Sequence, residues 1–226
     1  MRLFLIGIAL MLASPALWAQ HHAPLCASAD AACLREAYSR PPAHWPAPQV
    51  DAGVAWQELG PLPERAPSPA HNPYTEQKAA LGRTLFFDPR LSRSGQIACA
   101  SCHEPDLAFA DGRRVSFGHD RAAGRRNAPS VVTSGLAGHL FWDGRANSLE
   151  MQALMPVVDP KEMAFTVEEL VARLRASADY PARFAAVFPG QPLDAEHIAA
   201  ALATYQRDLL RVAQRTPFCR TKNRSP

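Results

Sequence analysis

The run Cys99-Ala100-Ser101-Cys102-His103 constrains this chain more than any other feature. Two thiols separated by two residues, with an imidazole directly after the second, form the attachment pattern of a c-type haem. On one helical turn the two sulfurs reach the two vinyl groups of a single porphyrin. The adjacent histidine then sits under the ring with a nitrogen for the iron. Covalent attachment keeps the group from being lost in a compartment where it is not readily replaced. Two other readings compete, a redox dithiol and half of a zinc site. The first belongs near a βαβ pattern and the second needs another ligand pair at suitable spacing; the sequence offers neither.

The N-terminus points to export. Met1-Arg2 gives a short positive start, Leu3 to Ala13 is apolar, and small residues lead to Ala16 and Ala19. This reads as a secretory signal peptide over residues 1–19, too short for a membrane span, which needs roughly 20 apolar residues. No membrane association is expected once it is removed, and the expected location is the periplasm. In an oxidising compartment exposed thiols tend to pair. Cys26 and Cys33 are the expected disulfide, with two unpaired thiols as the alternative, and Cys219 is left over. The net charge of +3, from 24 basic and 21 acidic residues, comes with no dense Lys/Arg cluster, so nucleic acid is not an expected partner.

Residues 20–72 are rich in Pro and Ala, which disfavours long helices. They read as an arm partly ordered on the domain, with Trp45, Trp56 and Leu62 as candidate anchors, or else as a linker. The compact domain is expected over 73–212, beginning at an Asn72-Pro73 helix start. Tyr74, Leu81 and Leu85 follow at helical spacing, and Asp88-Pro89 ends that helix. Residues 104–140 show no sustained period and read as long loops. Three further helices are expected. One runs from Ser148 to Leu154, and one from Thr166 to Ala176 behind a Thr166/Glu169 capping box. A longer one starts at Asp194, with Ile198, Leu202, Tyr205, Leu209 and Val212 on one face. The expected class is all-α, a cytochrome c-like haem domain with long loops and a Pro-rich N-terminal arm.

One haem with one protein ligand leaves the sixth iron position open. An electron carrier fills it with a strong ligand, whereas a peroxidase has to open it and needs an acid/base group nearby. Residues 81–163 settle on a resemblance. LGRTLFFDPRLS (81–92), CASCH (99–103), FGH (117–119), RNAPS (126–130), FWDGR (141–145), SLEMQALMP (148–156) and KEM (161–163) occur in that order. In these blocks the chain resembles the N-terminal, peroxide-binding domain of the bacterial di-haem cytochrome c peroxidases, a family that includes MauG-like proteins.

The resemblance implies roles position by position. Cys99 and Cys102 match the thioether cysteines and His103 the proximal ligand. His119, sixteen residues beyond His103, matches the distal His that caps the iron at rest from a mobile loop. Its flanking Gly118 and Gly124 suit a hinge. Gln152, Pro156 and Glu162 match distal-pocket positions, with Glu162 the acid/base for O–O cleavage. Trp142 matches the Trp between the two haems, as relay and core residue together. Asn127 matches a ligand of a calcium ion at the domain boundary, or is a turn residue. Asp143 and Arg145 bond within their loop or to a haem propionate. The remaining histidines receive no role.

The sequence departs from the family in one respect. It holds a single C-x-x-C-H, and residues 213–226 diverge into a tail that includes Cys219. A truncated or frameshifted gene product accounts for both. The expected function is a periplasmic c-type haem peroxidase, in truncated form. It reduces hydrogen peroxide to water with electrons from a small cytochrome c or cupredoxin, and the resemblance leaves room for a homodimer. The alternatives are a mono-haem electron-transfer cytochrome and a MauG-like enzyme that oxidises a partner protein.

Overall fold

A computed structural model describes residues 30–41, 44–46, 50–54, 56 and 62–215, with side chains as far as 211. The expected signal peptide, Cys26 and Cys219 lie outside the described residues. Cys33 is disulfide-bonded. Among the described residues no helix is long and apolar enough to cross a membrane.

The chain forms two compact units, one ending at Leu62 and the other beginning at Pro63. The first contains helix α1, Ala31–Tyr38, which the proline count did not suggest. It starts because the Asp30 carboxylate accepts from the Ala32 amide at 3.0 Å, satisfying an orphan donor of the first turn. The Trp45 indole donates to the Arg40 carbonyl at 2.7 Å and lies edge-on to Tyr38, while Trp56 and Leu62 are exposed.

The second unit is helical. In chain order it contains α2 (Glu76–Phe86), α3 (Leu149–Ala153), α4 (Met155–Val158), α5 (Val167–Ala176), α6 (Tyr180–Val187) and α7 (Ala195–Arg215). Among the described residues there is no strand, only three isolated antiparallel bridges. The class is thus all-α and cytochrome c-like, as the sequence suggests.

Helix α2 starts three residues later than expected. The Thr75 hydroxyl, on extended backbone, accepts from the Lys78 amide at 3.1 Å. Asn72 is buried and serves the core instead. Its amide donates to Glu150 at 2.7 Å and to the Ala200 carbonyl at 3.0 Å. Its Oδ1 accepts from Lys78 at 2.8 Å and Thr204 at 3.3 Å. A buried Asn with both side-chain polar atoms engaged ties α2, α3 and α7 together, which an exposed cap cannot do. The other two starts are where the sequence puts them. Ser148 accepts from the Met151 amide, and Thr166 and Glu169 form a reciprocal box at 3.1 and 3.3 Å.

Helix α6 was not expected. Pro181 lies in its first turn, where the missing N–H costs nothing, and only Tyr180 and Phe184 turn fully inward. Two apolar positions four apart are too few to register as a period.

Helix α7 is the axis of the unit. The expected stripe of Ile198, Leu202, Tyr205 and Leu209 is buried, but so is every residue from Ala201 to Leu210. The one-sided picture therefore needs correcting. Three of the polar residues on the far side, Thr204, Arg207 and Asp208, are tolerated because they are paired. Thr204 donates to the Ala200 carbonyl, Arg207 grips both oxygens of Glu150 at 2.6 and 2.9 Å, and Asp208 bridges Arg65 and Arg211. Buried charges without such partners would destabilise the helix strongly.

Candidate functional site

The C-x-x-C-H run lies against the α2 end of this core. Residues Cys99–Ser101 form one 3-10 turn, opened by the Ser101 hydroxyl accepting from the Ala98 amide at 3.0 Å. The His103 amide donates to the Cys99 carbonyl at 3.0 Å, closing the turn. Phe86 of α2 packs 6.3 Å from the His103 ring and 5.3 Å from Tyr205 of α7, so the histidine rests on an aromatic platform.

The orientation of His103 is set by its acceptor. Its Nδ1 lies 3.0 Å from the Phe109 carbonyl oxygen. A carbonyl can only accept, so Nδ1 carries the proton and Nε2 keeps its lone pair, the form a metal requires. Burial pushes the imidazole below its ordinary value, while the Phe109 and Pro129 carbonyls act the other way. The neutral ring is therefore favoured. The carbonyl reaches the ring because Ala108 and Phe109 both adopt positive φ, at +55° and +57°. The Ser130 hydroxyl fastens this turn by donating to the Ala108 carbonyl at 2.6 Å. Sequence reasoning missed Phe109, since a non-glycine residue in the left-handed region leaves no sign in the text.

Both thiols are free. Burial, then Cys102 and Glu162, push Cys99 up to about 12. Burial and the neighbouring Glu162 and Asp111 carboxylates raise Cys102 as well. Burial thus works against the thiolate form that a redox dithiol uses.

Glu162 is among the charges that raise both thiols. Its carboxyl is raised, chiefly by burial and then by Asp159, with Arg145 opposing. The segment around it is anchored by the Met163 amide donating to the Pro156 carbonyl and the Phe165 amide to that of Val157. Gln152 on α3 and Pro156 on α4 are half-buried on the same chain stretch.

His119 meets that segment directly. Its amide donates to the Glu162 carbonyl at 2.7 Å. Its Nδ1 is buried with no partner among the described residues, and its Nε2 lies 3.4 Å from Asp120. An unpartnered buried imidazole nitrogen is costly unless another group meets it. Asp120 and Arg121 have φ of +52° and +58°. Gly118 is not the free hinge its residue type suggests. Its φ is −106°, and a Cβ there would collide with the carbonyl oxygens of Lys161 and Glu162 and with the Glu162 Cα. Close approach is what requires glycine.

Trp142 and Asn127 are joined, the indole donating to the Asn127 carbonyl at 3.2 Å. Trp142 is 60% exposed, so the expectation that it is also a core residue is wrong for the described protein. The left-handed Phe141 beside it (φ +66°) turns the ring outward. Asn127 is exposed. Arg145 pairs with Asp143 at 2.8 Å and lies 3.6 Å over the Phe141 ring, so this pair bonds within its loop.

These residues fit a haem. Two free thiols precede a histidine with one available nitrogen. A second imidazole carries a buried orphan atom, and a carboxyl is held toward its protonated form.

Comparison with known proteins agrees with this chemistry. The model of the di-haem cytochrome c peroxidase family matches residues 76–223. The chain is 45% identical over 159 residues to the methylamine utilization protein MauG of Methylorubrum extorquens, covering 70% of this chain and 44% of that one. It is 38% identical over 155 residues to the cytochrome c peroxidase Ccp of Escherichia coli, covering 68% and 32% respectively. Among solved structures, a MauG-like protein associated with microbial copper homeostasis superposes with a TM-score of 0.60 at 43% identity, covering 69% of this chain and 47% of that one. The chain thus spans about half or less of the length of these relatives. Sharing the haem-attachment run, the helical frame and the family's sequence blocks, it belongs to the di-haem cytochrome c peroxidase family, whose members carry c-type haem.

Proposed function

We propose that this chain is the peroxide-binding half of a periplasmic c-type haem peroxidase that reduces hydrogen peroxide to water. Cys99 and Cys102 would hold one haem c covalently, and His103 and, at rest, His119 are the residues that would bind its iron. Bound haem would supply the iron at which peroxide binds, and the two electrons and two protons that turn one peroxide into two waters would come from the donor protein and from solvent. The chain's own residues do the rest. The Phe109 carbonyl holds the His103 ring so that Nε2 faces the metal. Glu162 moves a proton from one peroxide oxygen to the other, with Gln152 beside it in the distal pocket. Trp142 relays electrons from a small cytochrome c or cupredoxin, and Asn127 contributes to a calcium site.

Two observations carry this reading: His103 Nδ1 lies 3.0 Å from the Phe109 carbonyl, which leaves Nε2 for a metal, and burial raises the Glu162 carboxyl. An acid/base catalyst works best with a pKa drawn toward the working pH, and burial does that here. The test is protein matured with covalent haem, with haems per chain counted by mass and pyridine haemochrome. Peroxide should change its optical spectrum, and Glu162→Gln should slow that change by about 100-fold. Unchanged kinetics in the variant would count against the role.

A second reading is oxidation of a partner protein. It is favoured by the 45% identity to a MauG protein and by the exposure of Trp142, where a hole leaves the chain. An oxidised or cross-linked partner product identifies it. A mono-haem electron carrier would instead keep His119 bound in both redox states and ignore peroxide and cyanide.

A further inference from the structure

We propose that Ser130 is a positioning residue: by aiming the left-handed turn at Ala108 and Phe109, it sets how strongly His103 donates to iron, and so the haem's reduction potential. The inference rests on the role proposed above for His103. The Phe109 carbonyl lies 3.0 Å from the Nδ1 of that ring. What aims this carbonyl comes from outside its own loop. The loop's internal bonds engage the amides of Ala108, Phe109 and Ala110. The carbonyls of Ala108 and Phe109 meet a later stretch of chain instead. The Ser130 hydroxyl donates to the Ala108 carbonyl at 2.6 Å. The Val131 amide donates to the Phe109 carbonyl at 3.3 Å, so that oxygen serves Val131 and His103 together. The Pro129 carbonyl reaches the His103 ring as well. Ala108 and Phe109, with φ of +55° and +57°, occupy a region where such residues persist only under constraint from their surroundings.

A histidine ligand becomes more basic as its second nitrogen's proton is drawn toward an acceptor. Stronger donation stabilises the ferric charge and lowers the potential, so hydrogen bonding behind the axial ligand is one of the protein's levers on haem. Of the contacts from residues 129–131, only that of Ser130 is made by a side chain, so it can be removed without altering the backbone. Ser130 is also exposed, and its loss leaves the core untouched. Without the hydroxyl the strained turn relaxes and the Phe109 carbonyl moves off Nδ1. His103 then donates less, and the ferrous state gains.

The experiment uses the haem-loaded full chain with Ser130→Ala, and with Ser130→Thr, which keeps the hydroxyl, as the rescue. In Ser130→Ala the ratio of ferrous to ferric protein at a fixed potential should rise about tenfold, a midpoint about 59 mV higher for one electron. In a His119→Ala background His103 is the axial ligand that the chain retains. There the ferrous iron–histidine stretching band in resonance Raman should fall in frequency on Ser130→Ala. A merely structural role for Ser130 would leave that band where it is. Ser130→Thr should keep both the potential and the band. An unchanged or lower potential in Ser130→Ala, or an equal rise in Ser130→Thr, overturns the proposal while leaving the proposed function standing. A colourless wild type overturns both. Should Ser130→Ala take up no haem, the ring nitrogen shifts of His103 in the haem-free full chain decide by NMR. The wild type should carry the proton on Nδ1 and Ser130→Ala a mixture of the two tautomers, and one shared tautomer overturns the proposal.

Discussion

Gly82 of α2 and Ala201 of α7 meet backbone to backbone. A Cβ at 82 would run into the Ala201 carbonyl group and come within 2.8 Å of the Tyr205 Cβ. This contact sets how closely the two helices approach, and so where Phe86 and Tyr205 form the platform under His103. Gly82→Ala should destabilise the protein by about 2–3 kcal/mol in urea unfolding, since neither backbone can give way. The haem-loaded variant should also show a perturbed His103 environment by magnetic circular dichroism.

Glu150 predicts an acid transition. Burial pushes its carboxyl up, but hydrogen bonds from Arg207 and Asn72 outweigh this and hold it at about 2. The folded value lies below the unfolded one, so this stability is fully present above the ordinary Glu value of about 4.3 and is lost as pH falls toward 2. Arg207→Met removes one partner of a nearly buried pair and should cost about 3 kcal/mol near neutral pH, measured by thermal melting. The loss should shrink as the pH approaches 2.

Glu162 predicts the opposite sign. Its folded carboxyl is raised, so the native chain binds that proton more tightly than the unfolded chain does. Below the ordinary Glu range the burial carries no charge penalty. As pH rises through the raised value, the penalty appears. Glu162→Gln should therefore be more stable than wild type near pH 8 and no more stable near pH 4, by paired thermal melts of the haem-free chain. Equal differences at both pH values would mean the carboxyl is not desolvated.

The turn that holds His103 is strained at Ala108, where φ is +55°. Ala108→Gly should relieve it and stabilise the protein by about 0.5–1 kcal/mol, whereas Ala108→Val should cost about 1–2 kcal/mol, by chemical denaturation. If the Phe109 carbonyl sets the tautomer of His103, the valine variant should also lower haem incorporation.

Trp142→Phe removes an exposed indole and its bond to the Asn127 carbonyl. Stability should change by no more than about 0.5 kcal/mol. Reduction by a donor protein, or oxidation of a partner, should slow markedly. If both rates are unchanged, Trp142 is not on the electron path.

Much of the frame was legible because it rests on local chemistry. The Thr166/Glu169 box, the Ser148 start and the α7 stripe are written as residue types at fixed spacing. The C-x-x-C-H turn and the 119 and 162 positions were legible as text, although their meeting was not. Two kinds of feature stayed hidden. Asn72 looked like a cap because its partners Glu150, Ala200 and Thr204 come from remote parts of the chain. The left-handed Ala108 and Phe109, and the outward Trp142, depend on backbone angles that no residue type there announces. Gly118 was visible, but glycine signals both rotation and contact, and only the neighbouring carbonyls tell which.

The three antiparallel bridges, Glu104 to Ala110, Phe117 to Ala123 and Leu140 to Ala146, each join a residue to the one six positions on. Every such loop is stitched shut at its own base and owes its outline to neither of its fellows. The Phe109 carbonyl, His119 and Trp142 therefore sit on three self-closed cassettes, each also tied to the rest of the unit, through Ser130, Glu162 and Asn127 respectively. Exchanging a single cassette with that of a relative should retune one property of the pocket while the frame folds unchanged, a route by which peroxide reduction and protein oxidation can arise from the same scaffold.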